Sequence, residues 1–332
     1  MTDPSTIPEV SAPMPWQAQT WSRLNQQLAQ EQLAHALLIT GPRYTGKTRL
    51  ALALARLLLC ATPVGGLNCG KCHSCELSAS GSHGDFRWLE PEGTSRVIKI
   101  DQIRQVVEFT GRTAGLGLRK VIVMAPAESM NLSAANALLK VLEEPGSNTY
   151  LILVCHRPHG VPATIRSRCQ FLRPAIPSTG QSLDWLDRIC GTRAESERLL
   201  ELAGELPLLA AQLHEDHSAE RLQLARLAMR GMFSGESRGV ALLAILADEE
   251  LPRALGQLVD GIQALLRGLD GAALATARAR AAFELLDEMR GIQRAINGGS
   301  NPNQQLLLQA LLAKLQRVLG DGGLGDNISP YP

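Results

Sequence analysis

Two groups of residues in this 332-residue chain have the types and spacing of chemistry. The first is Gly41-Pro42-Arg43-Tyr44-Thr45-Gly46-Lys47-Thr48, which satisfies G-x-x-x-x-G-K-[ST] at every fixed position. Glycines at those places let the backbone wrap closely enough for its N–H groups to face phosphate oxygens. Lys47 is placed to reach the β/γ-phosphates and Thr48 to coordinate Mg²⁺. Gly41, Thr45, Gly46, Lys47 and Thr48 are therefore read as the binding set for ATP or ADP with Mg²⁺. The second group is sulfur. Cys69, Cys72 and Cys75 stand two residues apart, and Cys60 precedes them. Four thiolates with no open position suit a structural Zn²⁺ rather than a catalytic one. His73 and His83 lie close by in sequence and are read as bystanders.

These residues need elements to hold them. Ala36 to Thr40 is a short apolar run that reads as a strand feeding the loop. Arg49 to Leu59 is an Ala/Leu-rich helix whose N-terminus would lie under the phosphates. Trp21, Leu24 and Leu28 recur at helical spacing between Trp16 and Gln30. Gly81 to Arg96 reads as loop. Asp101 is a candidate cap for a helix over 102–110. Arg119 to Met124 is a buried strand, Asn131 to Glu144 a helix stopped by Pro145-Gly146, and Thr149 to Cys155 another buried strand. Strands alternating with helices predict an α/β domain with a parallel sheet covered on both faces. Pro174, Pro177, Ser178 and Gly180 mark a linker. Helical patterns follow at 182–190, 195–203, 207–214, 219–233, 239–247, 251–268, 271–296 and 303–319, joined by short loops as in an antiparallel bundle. Residues 1–15 and 320–332 read as a disordered lead-in and tail.

Composition narrows the class. The chain is 45% hydrophobic and 20% charged, with a net charge of +1. Nothing global draws it to nucleic acid, so any DNA contact needs a local patch, with Lys99, Arg104, Arg112 and Arg119 as candidates. No apolar run approaches the ~20 residues of a membrane span. The first residues lack the order of a secretory signal. An odd total of seven cysteines, four of them clustered, points to metal in a reducing, cytoplasmic setting rather than to disulfides.

By Arg168 enough residues have accumulated to carry a resemblance. His35 to Gly41 (HALLITG), the cysteine knuckle, Ser133 to Pro145 (SAANALLKVLEEP) and Thr164 to Cys169 (TIRSRC) together resemble the AAA+ sliding-clamp loader family, in its bacterial DNA polymerase III delta-prime branch. The resemblance covers residues 16–174 by motif and the remainder by layout. It implies an AAA+ P-loop base over 16–174 with the zinc knuckle at 60–80, a helical lid over 175–214 and an all-α collar over 215–319. It also implies membership of a hetero-pentamer with gamma/tau- and delta-type subunits that loads a sliding clamp onto primed DNA, with no membrane role. Within it, Arg168 of Ser167-Arg168-Cys169 resembles an arginine finger that reaches a neighbouring subunit's nucleotide.

Departures from the hydrolysing members matter equally. They carry Asp-Glu where this chain has Ala125-Pro126, and the first nearby acid is Glu128, beyond the proline. Their polar sensor falls near Cys155-His156, and Gly204-Glu205-Leu206-Pro207 lacks the lid arginine. The expectation is a nucleotide cradle without hydrolysis, in a rigid subunit that supplies Arg168 in trans. The alternatives are an autonomous P-loop ATPase acting on DNA and a zinc-stabilised DNA-binding module. No paired-carboxylate nucleotidyl-transfer site is present, so polymerase chemistry would belong to a holoenzyme.

Overall fold

The computed structural model describes residues 8–93, 95–117, 119–234, 239–297 and 300–319. The chain forms two compact units, residues 1–212 and 213–332. The first contains α1 (Ala18–Ala29), β1 (Ala36–Thr40), α2 (Lys47–Leu59), α3 (His73–Ala79), β2 (Phe86–Leu89), α4 (Ile100–Thr110), β3 (Lys120–Met124), α5 (Leu132–Glu143), β4 (Thr149–Cys155), α6 (Ala163–Arg166) and β5 (Gln170–Leu172). Then come α7 (Thr179–Cys190), α8 (Arg193–Leu202) and α9 (Pro207–Glu215), whose last residues cross into the second unit.

All strand pairings are parallel, in the order β2-β3-β4-β1-β5. Parallel neighbours cannot be joined by tight turns, so each connection carries a crossover, usually a helix, and the helices cover both faces. Side-chain alternation then splits each strand between two cores. Leu37, Ile39, Val121, Val123, Ile152 and Val154 pack with α1 and α2. Leu38, Ile122, Met124, Leu151 and Leu153 pack with α4 and α5. Because all strands run one way, the carboxyl ends of β1, β3 and β4 share one edge, where an open α/β sheet offers its binding crevice.

Several expectations need correction. Residues 81–96 are not all loop: Phe86–Leu89 is an edge strand on β3. Its burial is partial, so it lacks the continuous apolar run that marks the central strands. Asp101 does not cap α4, which begins at Ile100; the Gln102 side chain instead accepts the Lys99 N–H at 2.9 Å. The disordered lead-in does not extend through Pro8–Pro15. Ser11 and Met14 are buried there, and Arg56 and Asn68 hydrogen-bond the segment's backbone. The rest of that stretch, 1–7, and the tail 320–332 lie outside the described residues.

The second unit is helical: α10 (Ala219–Ser234), α11 (Gly239–Ala247), α12 (Leu251–Arg267), α13 (Gly271–Leu274), α14 (Ala277–Asn297) and α15 (Gln304–Leu319). The pattern at 271–296 is broken at Ala275-Thr276 into two helices. One apolar cluster, with Leu242, Leu258, Ile262, Met289, Leu308 and Leu315 fully buried, holds the unit together. Among the described residues no helix is long and apolar enough to cross a membrane.

Candidate nucleotide site, metal cluster and surface arginine

The loop at 41–48 leaves β1 at the sheet edge and enters α2 at Lys47. Gly46, which precedes the helix, has φ of +90°, a conformation that penalises any side chain. A Cβ there would also lie 2.3 Å from Met14 Cγ. The Thr45 hydroxyl donates to the Pro42 carbonyl at 3.0 Å and closes the turn. Beside the loop is a cavity of about 280 Å³ lined by Arg43, Tyr44, Lys47, Thr48, His156 and Leu208, among others. Leu208 reaches it from α9, whose backbone N–H donates to the Tyr44 carbonyl at 3.3 Å.

Lys47 is 2% exposed, and its ammonium donates to the Pro42 carbonyl. Burial pushes its pKa down to about 8, opposed by the nearby Glu128 carboxylate and Cys155. A buried cation in the first residue of a helix is suited to an anion. The residues present therefore fit a nucleotide's phosphates. Thr48 lines the same cavity at the helix start.

The acid and sensor positions are different. β3 ends at Met124, and Ala125-Pro126 follows where an acid would face Mg²⁺. Glu128 sits on a short 3-10 turn beyond it. Its carboxylate accepts the backbone N–H of His156 at 3.1 and 3.2 Å, from the end of β4. The fold thus returns Glu128 to the sheet edge despite the proline. The linear order offers Glu128 as the first acid after β3, but its placement against β4 depends on the adjacency of the two strands. Burial pushes the His156 imidazole down to about 3, helped by Lys47, Arg43 and Arg157. These surroundings favour the neutral imidazole. His35, just before β1, is structural, with its Nε2 3.1 Å from the Leu142 carbonyl.

Cys60, Cys69, Cys72 and Cys75 converge so that their sulfurs all lie within 4.8 Å of one another. The Cys60–Cys72 and Cys69–Cys75 separations are both 3.9 Å. A tetrahedron with Zn–S bonds of ≈ 2.3 Å has edges of about 3.8 Å, so the sulfur set could hold a metal such as zinc. All seven cysteines are free thiols. Amide donors orient two of the sulfurs: Cys69 N–H points to Cys60 Sγ at 3.2 Å and Cys72 N–H to Cys69 Sγ at 3.3 Å. The Thr62 hydroxyl and the Lys71 and Cys72 backbone N–H groups pull the Cys69 thiol down to about 5, whereas burial pushes the Cys60 thiol up to about 12. His73 is exposed and His83 Nδ1 accepts the Asp85 N–H at 3.0 Å, so neither is a ligand in this set.

Arg168 follows α6 and does not line the cavity of its own loop. Its Nε and one terminal nitrogen donate to Glu143 Oε1 at 2.8 and 2.6 Å, and the other donates to the Thr164 carbonyl at 3.0 Å. Its side chain is 38% exposed. Glu143 ends α5, so the helix motif at 133–145 and the motif at 164–169 meet in this ion pair. Of the suggested basic candidates, Arg104 is paired with Asp101 at 3.0 Å.

A family model described as "DNA polymerase III, delta subunit" matches residues 16–175. DNA polymerase III subunit delta' of Pseudomonas aeruginosa is 36% identical over 93% of this chain and 98% of its own length. The Escherichia coli subunit delta' is 31% identical over 87% of this chain and 90% of its own. A solved gamma subunit-related protein from Thermotoga maritima aligns over 91% of this chain and 99% of that one, at 19% identity and a TM-score of 0.48. The coverage of the two subunit delta' relatives extends beyond residue 175 into the helical unit, and it places the chain, with its phosphate-loop motif and four-cysteine cluster, in the DNA polymerase III subunit delta' family.

Proposed function

We propose that this chain is the rigid, non-hydrolysing member of a sliding-clamp loader. In this reading its base domain (16–174), lid (175–214) and collar (215–319) join gamma/tau- and delta-type subunits in a cytoplasmic hetero-pentamer that loads a clamp onto primed DNA. Cys60, Cys69, Cys72 and Cys75 hold structural Zn²⁺. Gly41, Thr45, Gly46, Lys47 and Thr48 hold ATP or ADP with Mg²⁺. Arg168 acts on the γ-phosphate of a neighbour.

The observation that carries the reading is the mismatch within one site. The phosphate cradle has its buried Lys47, while Ala125-Pro126 stands where the acid belongs, and Glu128 is held by the His156 N–H. Phosphoryl transfer relies on positioning and on charge stabilisation at the metal and the attacking water. A cradle alone binds without supplying them. The half-exposed Arg168, oriented by Glu143 and Thr164, supports a role outside its own site.

A second reading, an autonomous ATPase acting on DNA, is favoured by the return of Glu128 toward Lys47. One experiment separates the two. A fluorescent ATP analogue is titrated with Mg²⁺ into the purified chain, and phosphate release is followed in the same sample. Binding without turnover is expected. Turnover abolished by Glu128→Gln would establish the second reading instead.

A further inference from the structure

The segment Pro8–Gln17 runs from the cysteine cluster to the phosphate loop, and buried groups hold both of its ends. At the cluster end, Asn68 is 1% exposed. Its Oδ1 accepts the Ser11 N–H at 2.8 Å, and its Nδ2 donates to the Glu9 carbonyl at 2.9 Å and faces Cys75 Sγ at 3.5 Å. Arg56, also 1% exposed, projects from α2 into the same place. Its guanidinium donates to the Pro8 and Glu9 carbonyls and to the Ser11 hydroxyl on the segment. The same group donates to the Cys75 carbonyl at 3.2 Å and Ser78 Oγ at 3.2 Å on the knuckle. None of these partners is a carboxylate. Among the described residues the hydrogen-bond acceptors of Arg56 are neutral, which is costly for a buried cation, and a zinc-tetrathiolate centre beside it would supply negative charge.

At the loop end, Trp16 Nε1 and Gln17 Nε2 both donate to the Thr45 carbonyl, at 3.0 and 3.2 Å. Met14 covers Gly46 so closely that no side chain could be added there. Met14, Trp16 and Gln17 are each at most 4% exposed. The segment therefore sets the conformation of the two residues that precede Lys47.

We propose that Pro8–Gln17 is a strap that couples metal occupancy of the cysteine cluster to the shape, and so the nucleotide affinity, of the phosphate loop. Metal cross-links four points of the knuckle, and binding energy in such a module is folding energy. With metal bound, Cys75, Ser78 and Asn68 stay fixed, Arg56 keeps its neighbours and the strap stays seated. Without metal the knuckle loosens, and Arg56 and Asn68 lose their fixed partners. The strap is released, and Thr45 and Gly46 lose their cover. The coupling depends neither on hydrolysis nor on Arg168.

Hydrogen exchange of the full chain, read by mass spectrometry, tests this with zinc-loaded protein, chelator-stripped protein and zinc-loaded Asn68→Ala. Stripping should speed exchange in 8–17 and 41–48 on the order of tenfold, leaving β3 and β4 protected. Asn68→Ala keeps all four cysteines and should retain zinc, yet free the strap and weaken binding of a fluorescent ATP analogue. Trp16→Phe, which removes the donation to Thr45 and trims a buried ring packed edge-on against Trp185, leaves the cluster end of the strap intact, should loosen 41–48 with zinc retained, and covers the case in which Asn68→Ala does not fold. Unchanged protection of 8–17 and 41–48 on stripping, while 60–80 loosens, overturns the coupling. A purified chain that contains no zinc overturns it as well.

Discussion

Arg168→Ala distinguishes a local ion pair from a trans-acting finger, because the two roles predict losses of very different size. Within its own chain the guanidinium is bound to Glu143, half-exposed, and to the Thr164 carbonyl. An exposed pair of this kind is screened and contributes about 0.2–1 kcal/mol. The carbonyl bond adds about 0.5–1.5 kcal/mol. Alanine should therefore destabilise the subunit by about 1–2 kcal/mol, a fall in Tm of about 2–8 °C for a unit of this size. A finger that stabilises the γ-phosphate accounts for ~10³–10⁵ in rate in comparable systems, about 4–7 kcal/mol at the transition state. The assay is phosphate release by the complete loader, reconstituted with partner subunits, clamp and primed DNA. Arg168→Ala should assemble normally by size exclusion, yet lose the turnover of the one interface it serves. Glu143→Gln, which keeps an acceptor but removes the charge, should cause a smaller loss. Loader turnover equal to that of the parent protein would refute the finger, and Arg168 would then be the helix-end ion pair seen in the single chain.

The buried lysine makes a pH prediction. Lys47 titrates at about 8 in the folded chain against 10.5 for a free lysine, so between those values the unfolded chain binds more protons. Stability should rise with pH across that window. Nucleotide affinity should move the other way, since phosphate needs the ammonium, falling by about tenfold per pH unit above 8. Lys47→Ala should abolish both trends, and a flat affinity profile from pH 7 to 10 would contradict the assignment. His156 cannot mimic the effect, because it stays neutral throughout that range. Cys72→Ser should bring zinc content to zero by elemental analysis and open 60–80 to proteolysis. Full metal retention would remove Cys72 from the ligand set.

Much of this protein is written locally along the chain. The phosphate-loop motif is contiguous, so the chain itself brings its glycines, Lys47 and Thr48 together. Three of the four clustered cysteines are spaced so closely that their convergence follows from chain geometry. The central strands are buried on both faces, so their apolar runs are unbroken. The helical second unit follows from periodicity, with the Ala275-Thr276 break as the exception. Other features depend on long-range contacts that leave no local mark. Phe86–Leu89 is a strand only because β3 offers it an edge. Pro8–Pro15 has the composition of a loose terminus, yet it is ordered by Arg56 and Asn68 from far along the chain. Glu128 enters the site because β4 lies beside β3. Glu143 and Arg168 are 25 residues apart and meet only through packing. Backbone propensity and binary pattern act over a few residues, whereas hydrogen bonds to buried side chains are settled only when distant segments are brought into contact.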